Sequence, residues 1–302
     1  MVSTSIIASL LAASASVAAA AASSGPIRQR DNIDTTILQY ALTLEHLENA
    51  FYSEALSKFD SASFEAAGLP DWVRRRVVQI GQHEASHVAF LQTALGDAAT
   101  KPCTYNFGLD AAGPKGFLGL ASVIENVGVA AYLGAANKIT NPAYVTAAGS
   151  ILTVEARHQA WLNSAVLKEA PFSGPYDTPL GFSDVYSIAA AFITSCPETN
   201  PTLPVKAFPA ATVVQTTYKA GDKVTLKFPT TGAVENLIIY SGLTATVVAI
   251  PENFEVVLPA TLQGTSYAVI TTASAATDVS DENTVAGPLI FDFPINSRDV
   301  SA

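Results

Sequence analysis

The octapeptides Glu84-Ala-Ser-His87-Val-Ala-Phe-Leu91 and Glu155-Ala-Arg-His158-Gln-Ala-Trp-Leu162 repeat one pattern in a chain of 302 residues. In each octapeptide a Glu precedes a His by three positions, and an aromatic residue and a leucine follow. Residues three positions apart in an α-helix lie on one face, about one turn from each other. The repeat therefore predicts two equivalent helices, each with a carboxylate and an imidazole that point in the same direction.

A second pair of glutamates alternates with these octapeptides along the chain. Glu45 precedes Tyr52 by seven residues, and Glu125 precedes Tyr132 by the same interval. Seven residues make nearly two full helical turns, so each tyrosine lies under its glutamate. Because the neighbouring residues are apolar, we expect all these side chains to point into a core. The order indicates a duplicated helix pair with four carboxylates and two imidazoles.

The helical region is predicted to span residues 33–195. Its first helix is expected to begin with Asp34 as N-cap before an apolar stripe at helical spacing. The second predicted helix starts at Asp71, behind Pro70, and runs to about Leu95, and the third begins after Gly113-Pro114 and reaches Ala136. The fourth follows Asn141-Pro142 and reaches about Lys168, and a short fifth helix spans Ser183 to Thr194. The connection 96–113 is long and the other two are short, which is typical of a four-helix bundle with one crossover of the ferritin-like type.

A Pro-rich linker, residues 196–205, separates this region from a segment with a period of two. Runs such as Lys223–Phe228 alternate apolar and polar residues, and turn residues separate them. About seven strands are expected between residues 206 and 302, which predicts a small all-β antiparallel sandwich of immunoglobulin-like architecture. This segment has no His, Cys or Trp, so we interpret it as a structural or adhesive module.

The amino-terminal residues predict secretion. Residues 1–22 contain an uncharged apolar run and are interpreted as a signal peptide, followed by a linker at 23–32; the alternative is a transmembrane anchor. No later segment is expected to be long and apolar enough to span a membrane. In an oxidising compartment Cys103 and Cys196 can form one disulfide, and two free buried thiols are the alternative.

The composition excludes some partners. The chain has 26 acidic and 16 basic residues, a net charge of −10, which argues against nucleic acid or an anionic membrane surface as partner. With 49% hydrophobic and 14% charged residues, most of the chain is expected to fold.

The buried carboxylates predict a metal site. Uncompensated ions in a protein interior cost several kcal/mol each, and divalent cations offset that cost. One Glu from each of two helices, with Glu-x-x-His from each of the other two, is the ligand set of carboxylate-bridged di-iron and di-manganese bundles. Imidazole and carboxylate ligands suit Fe and Mn. We therefore expect two Fe or Mn ions, each with one His and a terminal carboxylate, while other carboxylates bridge.

Several neighbouring residues have alternative interpretations. Glu48, one turn after Glu45, is a rival ligand, although a position beside the ligands or in solvent is favoured. His46 and His83 are expected to be ordinary residues on the helix flanks. Tyr52 and Tyr132 are either hydrogen-bond donors to a ligand carboxylate or plain core aromatics.

Three of these stretches resemble a known family. Leu42-Thr-Leu-Glu-His-Leu-Glu-Asn-Ala-Phe-Tyr52, His83-Glu-Ala-Ser-His87 and Glu155-Ala-Arg-His158 are similar to the helix signatures of the ferritin-like superfamily. The likeness is strongest to the secreted ferritin-like domain of fungal stress-response and plant desiccation-related proteins, over residues 33–195. It implies that the metal ligands are Glu45, Glu84, His87, Glu125, Glu155 and His158.

These observations lead to three hypotheses of function. The first is a secreted di-metal oxidoreductase that reacts with O₂ or peroxide in stress protection. The second is a cell-wall or matrix protein in which the metal site is structural or vestigial. The third is metal sequestration. All three place the protein outside the cell, with attachment to the cell wall as one option, and a homo-dimer is compatible with each.

Overall fold

The computed structural model describes residues 30–230, 232–233 and 235–293. The expected signal peptide, residues 1–22, and nearly all of the linker 23–32 lie outside this range. The chain forms two compact units that alternate along the sequence. Among the described residues, the first contains 30–107 with Ala135–Leu152 and Thr194–Leu203, and the second contains Gly108–Gly134, Thr153–Ile193 and the described part from Pro204 onward. The domain limits expected from the sequence follow changes of secondary structure instead, and they stay predictions.

The described residues form a helical bundle region followed by a β domain, as expected. Six α-helices are present in that range: α1 Arg30–Lys58, α2 Ser61–Ala66, α3 Asp71–Leu95, α4 Leu109–Ala136, α5 Pro142–Trp161 and α6 Phe182–Ala190. Helices α3 and α5 begin where Pro70 and Pro142 predict. Helix α5 continues as a π-helical turn, Leu162–Leu167, which ends one residue before the predicted limit. The short α2 was not expected, and α6 ends four residues earlier than predicted.

The start of α4 shows why Gly113-Pro114 marks a helix boundary. Gly113 has φ 63° and ψ −179°, which interrupts the helix that begins at Leu109. A positive φ with an extended ψ is accessible to glycine, which has no Cβ. Proline is well suited to the first turn of a helix because its missing N–H has no helical partner there. The long helix that contains Glu125 therefore begins at Pro114.

Asp34 is not an N-cap, contrary to the prediction. Helix α1 begins at Arg30, so Asp34 lies within it. Its carboxylate accepts hydrogen bonds from the backbone N–H of Thr140 at 2.7 Å and of Asn141 at 2.9 Å, and from the Thr140 hydroxyl at 2.8 Å. Asp34 thus binds the chain just before α5 instead of its own helix. Its partners are more than 100 residues away, so local sequence could not reveal them.

In the first unit, α1 packs closely against α3. A Cβ added to Gly81 would lie only 3.3 Å from the Cβ of Tyr52, so a larger residue there would require a small shift of Tyr52. Further along the same pair, Leu42 of α1 and Val88 and Leu91 of α3 are buried in one cluster. Small and apolar residues therefore set the close approach of the helices that contain Glu45 and the first Glu-x-x-His pair.

The predicted disulfide is confirmed. Cys103 and Cys196 are bonded, and their Cα atoms are 4.2 Å apart. Hydrogen bonds flank it: Lys101 N–H donates to Asn200 Oδ1 at 2.9 Å, and Asn200 Nδ2 donates to the Lys101 carbonyl at 2.8 Å. The hydroxyl of Thr104, in strand β1 (Thr104–Tyr105), bonds that of Ser195, in strand β2 (Ile193–Ser195), at 2.6 Å. The crossover after α3 is thus fastened to the segment that follows the helices.

We predict that removing this disulfide lowers stability. It closes a loop across 93 positions, and disulfides typically contribute about 2–4 kcal/mol by restricting the unfolded chain. The Cys103→Ala/Cys196→Ala variant should therefore unfold at lower urea concentration than the oxidised wild type. Adding a reductant should shift the wild type toward the variant and leave the variant unchanged. Equal unfolding midpoints for the variant and the oxidised wild type would contradict the prediction.

The second unit contains the β domain. Its strands are β3 Thr212–Val213, β4 Lys223–Lys227, β5 Asn236–Ser241, β6 Thr244–Ala249, β7 Glu255–Val257, β8 Gly264–Thr271 and β9 Thr284–Phe293. They form two antiparallel sheets, in the orders β3-β4-β7 and β6-β5-β8-β9. Val224 and Val256 of the first sheet share a buried core with Ile239, Ile270 and Phe291 of the second. The alternating runs therefore build the predicted sandwich, with seven strands among the described residues.

Helix α6, in the same unit, contains Asp184, an acidic residue whose pKa is shifted by burial. Burial raises the pKa of Asp184 to about 6; a hydrogen bond from the Gly181 backbone opposes this shift, and the Asp281 carboxylate adds to it. Asp281 also accepts a hydrogen bond from the Ser183 hydroxyl at 2.6 Å. The folded protein therefore holds the Asp184 proton more tightly than the unfolded chain does.

We predict a pH-dependent gain in stability for Asp184→Asn. Because the folded pKa is raised, the stability contributed by protonated Asp184 is complete below about pH 4, the unfolded value. It is lost as the pH rises through about 6. Asn keeps an acceptor oxygen without the charge, so the variant should exceed wild type in free energy of unfolding at pH 7.5 and match it near pH 4. Urea unfolding at both pH values measures this, with the exposed Asp97→Asn as control. An unchanged or lower stability of Asp184→Asn at pH 7.5 would refute the prediction.

The expectation that no later segment could span a membrane needs a correction. Among the described residues, α4 is long and apolar enough by length and composition alone. Glu125 is the only charged residue between Gly116 and Ala136, so the interruption by acids is weaker than expected. However, 67% of the apolar window is buried within the structure. A core helix of a bundle passes the same test, so this result is weak evidence for a membrane.

Candidate metal centre

The first unit brings together three of the predicted ligands. Glu45 lies on α1, and Glu84 and His87 lie one turn apart on α3. His87 Nδ1 is 3.0 Å from Glu84 Oε2 and 3.3 Å from Glu45 Oε2. Glu45 and Glu84 are at most 1% exposed, and His87 is 9% exposed. These residues, the first triad, each offer one ligand atom, and the three atoms lie within 4.8 Å of one another.

The second unit brings together the other three. Glu125 lies on α4, and Glu155 and His158 lie one turn apart on α5. His158 Nδ1 is 3.0 Å from Glu125 Oε2. Both carboxylates are fully buried and His158 is 6% exposed. The ligand atoms of this second triad also lie within 4.8 Å of one another. Each unit therefore contains two glutamates and one histidine in equivalent positions of the duplicated pattern.

The distances within the triads fit a bound metal ion. Two ligand atoms at about 2.1 Å from one ion and at about 90° to each other lie about 3.0 Å apart. The Nδ1 to Oε2 distances of 3.0 and 3.3 Å match that separation. In both triads the imidazole nitrogen at these distances is Nδ1. A hydrogen bond between an imidazole and a carboxylate also has a length of about 3.0 Å. The distances between Nδ1 and Oε2 therefore suit both the metal-free and the metal-bound protein.

Charge balance also favours a cation. Each triad has two carboxylates and a single imidazole, and these groups are almost completely removed from water. Two ionised carboxylates with a neutral histidine have a charge of −2, which one divalent ion neutralises. A buried charge without compensation would cost several kcal/mol. The donor set, nitrogen and carboxylate oxygen without thiolate, is suited to Fe or Mn.

The flanking histidines lie in other environments. His46 Nε2 is 3.0 Å from the carbonyl oxygen of Thr100, which accepts a hydrogen bond from it. Burial lowers the pKa of His46, and the bond to Thr100 opposes this shift only in part. The neutral ring with its proton on Nε2 therefore anchors the chain after α3. His83 lies on the exposed side of α3.

The remaining predicted side chains differ in burial. Tyr52 is fully buried and its ring makes an edge contact with Phe51, which suits a core aromatic. Glu48 is buried, whereas Tyr132 is half-buried. A role for Tyr52, Tyr132 or Glu48 as partner of a ligand carboxylate stays a prediction.

Sequence reasoning missed two polar contacts that flank the second triad. Asn126, the residue after Glu125, accepts a hydrogen bond from the hydroxyl of Tyr267 in β8. Ser122, one turn before Glu125, donates to Asn163 in the π-helical turn after His158. The amide of Asn126 on the mostly apolar helix α4 was a visible signal, but nothing in the sequence indicated its partner.

Residues 33–168 match the family model described as Ferritin-like domain. The match contains all six predicted ligands, and it supports the likeness to the ferritin-like superfamily inferred from the sequence.

A curated relative gives the same indication. The chain is 27% identical over 183 residues to Protein rds1 of Schizosaccharomyces pombe (strain 972 / ATCC 24843), an alignment that covers 61% of this chain. It spans 45% of the length of that protein. Together with the buried Glu and His clusters, these findings support a ferritin-like metal protein.

We predict that Glu155→Gln stabilises the metal-free protein and reduces the gain in stability that metal binding gives. Without metal, the variant should unfold at a higher temperature than wild type, because it removes a fully buried carboxylate. With Mn(II) at about 100 times the dissociation constant, wild type should gain about 2.7 kcal/mol per ion, and the variant should gain less. Thermal unfolding with and without Mn(II) measures both effects. The exposed Glu65→Gln controls for loss of a charge, and a metal response of Glu155→Gln equal to that of wild type would contradict the prediction.

Proposed function

We propose that the protein is a secreted oxidoreductase with a carboxylate-bridged pair of Fe or Mn ions. Each triad would hold one ion through the Nδ1 atom of its histidine and the oxygens of its two glutamates. Bound Fe or Mn would supply redox chemistry with O₂ or peroxide. A function in stress protection would follow from the removal of peroxide.

The observation that most strongly supports this proposal is the burial of two equivalent Glu, Glu, His triads. All four glutamates are at most 1% exposed. Replacing buried ionised side chains by apolar residues of similar volume often leaves the stability of a protein unchanged or raises it. A requirement for these ligands explains why the fold retains them. The pattern repeats in both halves of the helical region, which favours two ions per chain over one.

The surroundings of the triads favour a small reactant. Because the histidines are 6% and 9% exposed and the glutamates less, a large substrate has no direct contact with the ligand atoms. O₂ and peroxide are small enough to reach a buried site through packing fluctuations. The low-dielectric surroundings also strengthen the hold of the carboxylates on positive charge. Carboxylates can change between terminal and bridging modes, so the same residues can follow changes of charge.

Secretion is supported by the disulfide between Cys103 and Cys196, because disulfides persist mainly in oxidising compartments. The apolar residues 1–22 favour the same compartment. Extracellular peroxide is then the reactant that the protein would meet.

The experiment measures metal content before activity. Full-length protein is purified with Fe(II) or Mn(II), and native mass spectrometry should show two ions per chain. Electron paramagnetic resonance of the Mn(II) form should show spin coupling, as expected for bridged ions. Turnover of H₂O₂ and oxidation of Fe(II) are then compared between wild type and Glu84→Ala/His158→Ala. The variant removes one ligand from each triad, so it should lose metal and turnover.

His83→Ala is the matched control, because it removes an exposed histidine next to Glu84. It should keep both ions and the wild-type turnover. Metal well below one ion per chain in wild type would overturn the metal site itself. Two ions without turnover would overturn the oxidoreductase and favour a structural site, whereas many more than two ions would favour metal sequestration.

A further inference from the structure

We propose that the β-sandwich positions the metal centre, with Tyr267 of β8 holding helix α4 in place beside the ligand Glu125. This inference rests on the proposed function, because it assumes that the second triad binds an ion. It gives the β domain a role beyond that of the structural or adhesive module expected from its sequence.

The central contact joins a strand to a ligand-bearing helix. The Tyr267 hydroxyl donates to Oδ1 of Asn126, the neighbour of Glu125. Tyr267 and Asn126 are 1% and 7% exposed, so water does not replace this bond. Burial raises the pKa of Tyr267 above its usual range, and the Asp177 and Asp292 carboxylates add to the shift. The hydroxyl therefore keeps its proton and remains a donor.

A backbone segment that precedes α6 strengthens this connection at its α4 end. The Leu180 N–H donates to the carbonyl of Ala130 in α4 at 3.1 Å. A Cβ added to Gly134 would lie 1.7 Å from the Leu180 oxygen, so only glycine permits this approach.

The same segment contacts the sandwich. A Cβ added to Gly264, at the start of β8, would lie 2.1 Å from the Ser173 oxygen. The Gly242 N–H, in the β5–β6 turn, donates to the Thr178 hydroxyl at 2.8 Å. Residues 173–180 thus touch α4 at one end and the sandwich at the other.

A second polar contact restrains α4 on the other side of the ligand. Ser122 donates to Asn163, and Asn163 Nδ2 donates in turn to the Ala170 carbonyl at 3.3 Å. Asn163 lies in the π-helical turn, five residues after His158. Glu125 is therefore bracketed by contacts at positions 122 and 126. The contact at 122 comes from the helical region, and the contact at 126 comes from the sandwich.

Loss of the Tyr267 hydroxyl should loosen this arrangement. Phenylalanine would leave the buried Asn126 oxygen without its donor, which is a costly state that the helix can relieve by shifting or rotating. Groups that orient metal ligands typically change affinity by about 10–100-fold when they are removed. Because Tyr267 acts through the helix and does not touch a ligand, we expect the low end of that range.

The test measures Mn(II) binding by the full chain. Mn(II) is titrated into wild type, Tyr267→Phe and Tyr240→Phe, and free Mn(II) is followed by electron paramagnetic resonance. Tyr240 pairs with Tyr267 across strands β5 and β8, so Tyr240→Phe removes a hydroxyl from the same sheet and keeps the bond from Tyr267 to Asn126. In Tyr267→Phe one ion should bind about tenfold more weakly, with a changed zero-field splitting in its spectrum. The other ion, and both ions of Tyr240→Phe, should keep wild-type affinity.

The outcomes separate this inference from the function on which it rests. If wild type binds neither Mn(II) nor Fe(II), the proposed function fails. If wild type binds two ions and Tyr267→Phe is unchanged, or if both of its ions weaken equally, the positioning role is wrong. Should Tyr267→Phe fail to fold, Asn126→Ala removes the acceptor of the same bond and must weaken one ion selectively. Wild-type binding by Asn126→Ala would overturn the inference.

Discussion

The close contact between buried carboxylates and a histidine in each half of the helical region is the constraint on which the rest of the structure depends. A helix with Glu84 or Glu125 in an otherwise apolar face cannot be buried against apolar partners alone, because each carboxylate loses its hydration. The imidazole Nδ1 atoms at 3.0 Å offset part of that loss. A divalent cation would offset the remainder. The long helices therefore enclose charged groups as well as apolar surface.

The two compact units correspond to the two copies of the repeated ligand pattern in the sequence. Each unit contains one complete triad, formed by a Glu from one helix and a Glu-x-x-His pair from another. In the first unit the supporting contacts are helical: Gly81 permits the close approach of α3 to Tyr52 of α1. In the second unit, Tyr267 of the sandwich contributes as well. The duplicated sequence thus has equivalent ligands but different support.

The sequence was sufficient wherever the determining signal is local. Prolines and the helical period located the starts of α3 and α5, period two located the strands, and the spacing of Glu, His and Tyr found both triads. It failed where a polar side chain pairs over a long distance. Asp34 resembles an N-cap in sequence, yet it binds Thr140. Asn126 and Tyr267 are separated by 141 positions, and nothing local specifies their contact.

The polar character of the contact between Tyr267 and Asn126 is itself informative. An apolar pair would bury the same surface without the cost of desolvating a hydroxyl and an amide. Apolar contacts are not directional, however, and would tolerate small rotations or slides of α4 against the strand. A hydrogen bond has a preferred length and angle, so it fixes the helix at the residue that adjoins Glu125. For a ligand carboxylate, a rotation of the helix changes the direction in which its oxygens point. A directional bond at position 126 therefore offsets its desolvation cost by keeping the oxygens of the ligand Glu125 pointed in one direction.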